Sequence, residues 1–223
     1  MESGKLKLEL VLSDDGSHTI HIPELKEHYH SHKGAIQESS HVFIEMGLNQ
    51  SKMSGQLKVL EVGFGTGLNA LLTRLNRGNK AVHYIGLEPF PLDVKFIEAL
   101  NYGECIGGNA AEKFTEMHHA AWDKLIQLEN GFSLEKLETR LENFKSETLF
   151  DLVYYDAFAP HAQPELWTLA IWTKLFRLMK SGGNLVTYCA KGQVRRDMQQ
   201  AGFDVERLQG PPGKREMLRC TKP

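Results

Sequence analysis

The chain has 223 residues, of which 41% are hydrophobic and 24% charged, a balance typical of one soluble globular domain with a single core. The formal net charge of −2 gives no global attraction for nucleic acid, so such a partner would need a local basic patch. No apolar stretch reaches the roughly 18 residues of a membrane span, and the N-terminus lacks a signal-peptide pattern. Three dispersed cysteines, Cys105, Cys189 and Cys220, predict a reducing, cytoplasmic environment without disulfides or a zinc ribbon.

The first 50 residues predict an extension made of a hairpin and a helix. The segment KLELVLSDDGSHTIHI alternates as two strands, with Asp15-Gly16 supplying the turn. A helix is expected from about Gln37 to near Gly47. We expect residues 1–50 to pack as an extension on a main domain formed by residues 51–223.

Strands and helices alternate through the main domain. Five β-runs, LKVLEV, AVHYIGLEP, FSLEKLET, FDLVYYDAF and GGNLVTYC, are separated by helical stretches, of which residues 109–128 are expected to form one and Pro164 to Met179 another. The last two runs, FDVERL and EMLRC, follow each other without a helix. This order predicts an α/β fold with a doubly wound, mostly parallel sheet, helices on both faces and an antiparallel C-terminal edge.

A glycine-rich loop, EVGFGTGLN, joins the first of these strands to a helix. Glycine permits positive φ and close approach of a ligand. A dinucleotide fingerprint would need glycine at position 68, which is leucine, so the loop favours S-adenosylmethionine over NAD. The ExGxGxG order resembles motif I of class I methyltransferases, and Glu88 ends the next strand, where an acid binds ribose hydroxyls. The alternative is a tight turn that collects glycines without binding a ligand.

The segment YYDAFAP places a carboxylate, Asp156, at the end of a buried strand. Such a group is costly beside a core unless something pairs with it or uses it. An alkyl amine is mostly protonated at neutral pH, and Asp156 could bind the ammonium, orient the nitrogen and accept its proton. Phe158, Pro160 and Trp167 would exclude water. The segment is similar to the (D/N)PP(Y/F) loop of amino-group methyltransferases; the alternative is that Asp156 caps the following loop or helix.

Several blocks together resemble one family: VGFGTGLN, LEPFPL, DAFAPHAQPELWT, GGNLVTYCAKGQVRRDMQQAGF and GKREML. From about residue 37 to 219 the chain resembles the methyltransferase domain of the MnmC family, including its stand-alone MnmD form. The resemblance implies methylation of the exocyclic amine of 5-aminomethyl-2-thiouridine at the tRNA wobble position, giving 5-methylaminomethyl-2-thiouridine. A separate FAD-dependent oxidase would supply the amine, and since the sequence ends at Pro223 we expect methyl transfer only.

The resemblance also implies residue roles. Asp156 would face the amine and Glu88 the cofactor ribose. The third strand lacks the family's GD pair near the adenine, for which Glu138 or Glu142 could substitute. The remaining cofactor contacts would come from the glycine loop, namely Glu61, Gly63, Phe64, Gly65, Thr66, Gly67 and Asn69.

A tRNA partner requires basic contacts, and the wobble base lies in a single-stranded loop whose extrusion costs little stacking. Two basic clusters follow the predicted crevice strands and could form one patch on the anticodon loop. The alternative is an ordinary solvated surface. The clusters are Lys191, Arg195 and Arg196, and Lys214, Arg215 and Arg219.

Other conspicuous residues favour structural roles. His28, His30 and His32 alternate like metal ligands, but without partners they are expected at the surface or against substrate, and we predict no metal site. His118 and His119 are expected on a helix surface. The remaining predictions are core positions for Trp122 and Trp172 and an inert Cys189.

Three alternative functions remain open at this stage. The chain could methylate a small-molecule or protein amine, in which case tRNA would not be labelled. It could bind S-adenosylmethionine without catalysis. An aminopropyl transferase of the spermidine-synthase type would need decarboxylated cofactor and further acids, which the sequence does not reveal.

Overall fold

The structure is a computed structural model that describes residues 6–52 and 55–223. Strands and helices alternate along most of this length. The strands are β1 Glu9–Leu12, β2 His18–Ile22, β3 Glu27–His28, β4 Leu57–Val62, β5 Val82–Leu87, β6 Leu125–Glu129, β7 Phe132–Leu137, β8 Phe150–Tyr155, β9 Met179–Thr187, β10 Asp204–Gln209 and β11 Glu216–Thr221.

The helices between these strands are short. They are α1 Ala35–Ser39, α2 Leu68–Asn76, α3 Val94–Ala99, α4 Tyr102–Ile106, α5 Ala110–His119, α6 Leu169–Leu178 and α7 Gly192–Gln200, with a π-helical segment Ser40–Glu45 and 3₁₀ turns Leu48–Gln50 and Pro164–Trp167. Within the described ranges, no helix has the length and apolar character required to cross a bilayer.

The main sheet has eight strands in the order β10-β11-β9-β8-β4-β5-β7-β6. Strand β4 pairs in parallel with both β5 and β8, and the parallel pairing continues to β7 on one side and β9 on the other. The strands that follow β4 along the chain lie on one side of it, and β8 then lies on the other side. The topological switch point is therefore between β4 and β8. The predicted fold is confirmed, including the antiparallel C-terminal edge formed by β10 and β11.

The central strand β8 separates two hydrophobic cores. All six of its residues are buried, and successive side chains point to opposite faces. Tyr154 packs against Phe43 with ring centroids 5.1 Å apart on one face, and Tyr155 packs against Trp172 at 4.6 Å on the other. Helices α2 and α5 cover the first face and α6 and α7 the second, which explains why this strand reads as a continuous apolar run.

The prediction of one helical stretch over residues 109–128 is wrong in its second half. Helix α5 ends at His119, and Leu125–Glu129 forms the edge strand β6, antiparallel to β7. Asp123, with a φ of 57°, turns the chain, and the Asn130-Gly131 pair joins the two strands. An Asn-Gly pair between apolar segments is a strong hairpin signal, and it was available in the sequence.

The N-terminal extension contains the predicted hairpin and a third short strand, in the order β1-β2-β3. The predicted helix lies at 35–45, as α1 and the π-helical segment. The Asp15 carboxylate accepts hydrogen bonds from the backbone N–H of Ser17 and of Gln37, both at 3.0 Å, which joins the turn to α1. His18 binds the main domain through its backbone N–H, 2.7 Å from the side-chain oxygen of Asn101. The proposed boundary at residue 50 stays a prediction.

Candidate functional site

A cavity of about 830 Å³ opens beyond the carboxyl ends of β4, β5, β7 and β8. This volume is in the range of pockets that hold small molecules and cofactors. Of the residues predicted to bind cofactor or substrate, those lining the cavity are Gly63, Phe64, Gly65, Thr66, Glu88, Glu138, Asp156 and Phe158. The predicted residues therefore converge from four different strand ends on one space.

The glycine loop after β4 requires glycine for two physical reasons. Gly63, Gly65 and Gly67 have φ values of 90°, 50° and 75°, a region that side chains strongly disfavour. A Cβ on Gly63 would also lie 2.7 Å from the backbone oxygen of Asp156. The loop is thus pressed against the start of the segment after β8, which places the predicted cofactor loop beside the predicted catalytic acid.

Glu88 holds the glycine loop and faces the cavity. Its Oε2 accepts a hydrogen bond from the backbone N–H of Gly65 and its Oε1 from that of Phe90, both at 2.9 Å. Burial raises the pKa of Glu88, while these two bonds oppose the shift. A carboxylate has about four lone-pair positions, so Glu88 keeps acceptor capacity for hydroxyl groups in the cavity.

Asn69 connects Asp156 to Glu61. Its Nδ2 donates to Glu61 Oε1 and to Asp156 Oδ2, each at 2.8 Å. Glu61 is fully buried, and burial raises its pKa well above the ordinary value. Burial and the negative charge of Glu38 raise the pKa of Asp156 to about 7, although the Asn69 hydrogen bond and Lys214 act in the opposite direction.

Three of the predicted cofactor residues are not among the described residues that line the cavity. Glu61 and Asn69 are buried behind the glycine loop and support the loop and Asp156, and Gly67 ends the loop at the start of α2. Their direct contact with a cofactor stays a prediction. Glu142, the alternative to Glu138 near the adenine, also lines the cavity.

The segment after Asp156 is held by hydrogen bonds to its backbone. Trp167 Nε1 donates to the backbone oxygen of Phe158 at 2.8 Å, and the Tyr188 hydroxyl donates to that of Ala157 at 2.9 Å. Trp167 is buried against Tyr155. Trp167, predicted to contact substrate, thus lies beneath the segment and supports it, while Phe158 faces the cavity and Pro160 is half-buried.

A pair of charges that the sequence did not reveal lies near Asp156. Lys214 Nζ is 2.5 Å from Glu38 Oε1 and 3.9 Å from the centroid of the Tyr188 ring. The other Glu38 oxygen accepts the backbone N–H of Ser31 at 2.7 Å. Lys214, predicted as an RNA contact, is therefore already paired. The pair joins the extension to the turn between β10 and β11, two segments more than 170 residues apart.

The N-terminal extension also forms one wall of the cavity. Ile22, Leu25, Tyr29 and His30 line it from this side, and no motif in the sequence predicted this. His30 was expected either at the surface or against substrate. The first alternative is wrong, because the residue is only 8% exposed. Burial lowers its pKa to about 4. His30 is buried because its ring packs edge to face against Tyr102, with centroids 6.3 Å apart, while its backbone N–H donates to Thr19 Oγ1 at 3.1 Å.

His118 was predicted on a helix surface and lies elsewhere, whereas the partly exposed His28 does not contradict its prediction. His118 packs against Phe64 and Phe114 and lies with Nε2 3.1 Å from the Thr66 backbone oxygen, so it supports the glycine loop and is not a surface residue. His28 stacks on His21 with ring centroids 4.5 Å apart. In the part of the chain that the structure describes, no three His, Cys, Asp or Glu side chains group as a metal site.

The predicted basic patch is smaller than the sequence indicated. Arg219 Nε is 2.9 Å from Glu206 Oε2, so its charge, like that of Lys214, is paired. Of the six basic residues predicted to contact RNA, four form no ion pair with a described residue, namely Lys191, Arg195, Arg196 and Arg215.

Comparison with known proteins agrees with this geometry. Residues 113–223 match a family described as S-adenosyl-L-methionine-dependent methyltransferase. The chain is 30% identical to the tRNA 5-methylaminomethyl-2-thiouridine biosynthesis bifunctional protein MnmC of Cupriavidus metallidurans over 94% of its own length and 33% of the relative. It is 31% identical to the protein of the same name from Ectopseudomonas mendocina, over 85% of this chain and 31% of that one.

The chain thus spans about a third of the length of these curated relatives. Among solved structures, MNMC2 from Aquifex aeolicus superimposes with a TM-score of 0.82 at 24% identity, covering 99% of this chain and 72% of that one. The family match places residues 113–223 in an S-adenosyl-L-methionine-dependent methyltransferase family, and the chain as a whole has the class I methyltransferase fold and is similar to the MnmC proteins over about a third of their length.

Proposed function

We propose that this methyltransferase acts on tRNA, converting 5-aminomethyl-2-thiouridine at the wobble position to 5-methylaminomethyl-2-thiouridine. One observation carries the proposal: Asp156, an acid on the cavity rim, is joined through Asn69 to the base of the glycine loop. An amine-directed acid is thereby fixed beside the cofactor cavity. The names of the relatives, which refer to biosynthesis of this nucleoside, support the choice of substrate.

The residues around the cavity fit S-adenosylmethionine. Gly63 and Gly65 present backbone without side chains to the cavity, and Glu88 offers acceptors for the two ribose hydroxyls. Glu138 and Glu142 lie on the side predicted for the adenine. When bound, the cofactor supplies a methyl group activated on a sulfonium. The surrounding protein must supply a correctly oriented nitrogen with a free lone pair.

Asp156 is suited to that task. Its carboxylate would bind the incoming ammonium, orient it and accept a proton, so that the nitrogen lone pair becomes free. A pKa of about 7 lets the group exchange protons near neutral pH, which is the condition for efficient general base catalysis. Phe158 lines the same rim and would exclude water from the nitrogen.

The surface around helix α7 would bind the anticodon loop. Lys191, Arg196 and Arg215 are exposed and Arg195 is partly exposed. Contacts to phosphates position an RNA, and their strength falls with rising salt. A tRNA substrate would make the enzyme cytoplasmic, and a separate FAD-dependent oxidase would be its partner in supplying the amine.

Labelled S-adenosylmethionine and tRNA from cells that lack the methylation step test this function. We expect label in the wobble nucleoside after digestion, and none with Asp156→Asn. The exposed Asp14→Asn is the matched control and should retain activity. Label in another nucleoside would contradict the proposed substrate. Transfer to a small amine or a protein, with none to tRNA, would favour the alternative methyltransferases.

A further inference from the structure

Tyr29 lies between the glycine loop and the segment after Asp156. A Cβ placed on Gly65 would be 3.0 Å from Tyr29 Cδ1, so the ring is in van der Waals contact with the cofactor loop. The same ring meets the Phe158 ring edge to face, with centroids 5.1 Å apart and an interplanar angle of 86°. Tyr29, Gly65 and Phe158 all line the cavity.

The backbone of Tyr29 is firmly held. Its N–H donates to the Ile20 backbone oxygen at 2.9 Å, which extends the pairing of β2 and β3. Strand β2 is fixed to the main domain because the His18 ring nitrogen Nδ1 lies 2.8 Å from the Ala99 backbone oxygen and the His18 N–H binds Asn101. The ring therefore projects from a rigid support into the cavity.

The Tyr29 phenol is neutral near pH 7, as an ordinary tyrosine is, and its surroundings reinforce this. Burial, with a smaller contribution from the Glu88 carboxylate, raises the pKa of the Tyr29 phenol. A neutral aromatic ring packs against both a ligand and a second aromatic ring, and edge-to-face pairs stabilise beyond their buried area.

We propose that Tyr29 is a positioning residue that couples cofactor binding to the order of the substrate segment, residues 157–163. Cofactor in the cavity fixes the Tyr29 ring, and the ring fixes Phe158 beside Asp156. The enzyme then binds its amine substrate more tightly after the cofactor. The extension of this coupling to tRNA rests on the proposed function, whereas the coupling between cofactor and segment does not.

Hydrogen exchange of residues 157–163, with and without S-adenosylmethionine, tests the coupling directly. In the wild type we expect cofactor to slow exchange of this segment. Tyr29→Ala should abolish this slowing at saturating cofactor, and Tyr29→Phe, which keeps the ring, should retain it. His28→Ala, a neighbouring change on the other face of the small sheet, is the matched control and should behave as the wild type.

Exchange at residues 18–22 reports whether Tyr29→Ala leaves the extension folded. If it does not, Phe158→Leu removes the same ring contact from the other side and should also abolish the cofactor-induced slowing. Retained slowing in a folded Tyr29→Ala, or in Phe158→Leu, would overturn the proposal. If Tyr29→Phe also lost the slowing, the aromatic ring would not be sufficient for the coupling, and the proposed role of the ring would be overturned.

A second measurement compares the affinity for substrate tRNA with and without cofactor product, S-adenosylhomocysteine. Wild-type enzyme should bind tRNA about 5- to 10-fold more tightly with the product bound, a usual size for coupling between sites, and Tyr29→Ala should show equal affinities. Equal affinities in the wild type would overturn the coupling to tRNA. Failure to bind any tRNA would instead contradict the proposed function, while the exchange result would still stand.

Discussion

The cofactor side and the amine side of the cavity are built in different ways. The proposed cofactor side is lined by four consecutive residues of the glycine loop, 63–66, and by Glu88 at the end of the adjacent strand. The amine side combines Asp156 with Tyr29 and Glu38 from the extension and Lys214 from the β10–β11 turn. One side is a local motif, and the other exists only when distant segments meet.

Because of this difference, cofactor binding and methyl transfer should depend on different parts of the molecule. The glycine loop presents its backbone to the cavity through residues that are neighbours in the sequence. The amine side instead depends on burial, and to a smaller extent on charges, that the fold produces, and together these raise the pKa of Asp156. We therefore expect changes on the cofactor side to affect affinity for cofactor, and changes on the amine side to affect turnover and its pH dependence.

The largest effect is expected for Asp156→Asn. Removing the carboxylate eliminates the proton acceptor, and we expect kcat to fall roughly 100-fold or more. Affinity for S-adenosylmethionine should change little, because asparagine has the same shape and can still accept the Asn69 hydrogen bond. Single-turnover methyl transfer and calorimetry measure the two quantities. Simultaneous loss of cofactor binding would remove the proposed division between the two sides.

Gly63→Ala should impair the cofactor side and the amine side of the cavity together. The new Cβ would meet the Asp156 backbone oxygen at 2.7 Å, and the φ of 90° is strained for alanine. We expect the free energy of unfolding to fall by about 1–3 kcal/mol, with weaker cofactor binding and slower turnover. Gly78→Ala is the control, since its φ is 57° but no heavy atom lies within 4 Å of its Cβ. Urea unfolding should find Gly63→Ala clearly less stable than Gly78→Ala.

Glu88→Gln should weaken cofactor binding while preserving turnover. The amide presents an N–H group to one of the two backbone donors that the carboxylate accepts, and it loses a charged acceptor for the ribose. We expect the Kd for S-adenosylmethionine to rise about tenfold, with kcat at saturating cofactor nearly unchanged. Glu135→Gln on the adjacent strand, near His83, should leave both unchanged. If Glu88→Gln lowered kcat as much as Asp156→Asn, the proposed division between a cofactor side and an amine side would be contradicted.

The smallest effect concerns pH. Asp156 acts as a base only when deprotonated, so kcat/KM should fall as the pH is lowered through about 7. Lys214 stabilises the anion, whereas burial and the Glu38 carboxylate oppose it. Lys214→Met should therefore raise the pKa of Asp156, move the profile to higher pH and reduce the rate at pH 6 severalfold. Lys33→Met, whose exposed charge pairs with Asp14, should leave the profile unchanged; a shift to lower pH for Lys214→Met would contradict the assigned electrostatics.

Much of the fold could be predicted from the sequence, because the patterns that indicate it are local. The apolar runs of β4 and β8, the glycine loop and the strand-helix alternation each depend on neighbouring residues, so the doubly wound sheet was predicted correctly. Strand β6 was not predicted, because residues 109–128 were assigned to one helical stretch and the hairpin signal of Asn130-Gly131 lies just beyond it. His30 and His118 were misplaced because their burial depends on which elements pack over them.

The sequence by itself determined the general alternation of strands and helices, the glycine loop and an acid at the end of β8, since backbone conformation and hydrophobic periodicity act over a few residues. Only the tertiary structure decided that the extension forms a cavity wall through Tyr29, that Lys214 pairs with Glu38, and that Arg219 pairs with Glu206. Charges and rings interact through space over a few ångströms, whatever their separation along the chain.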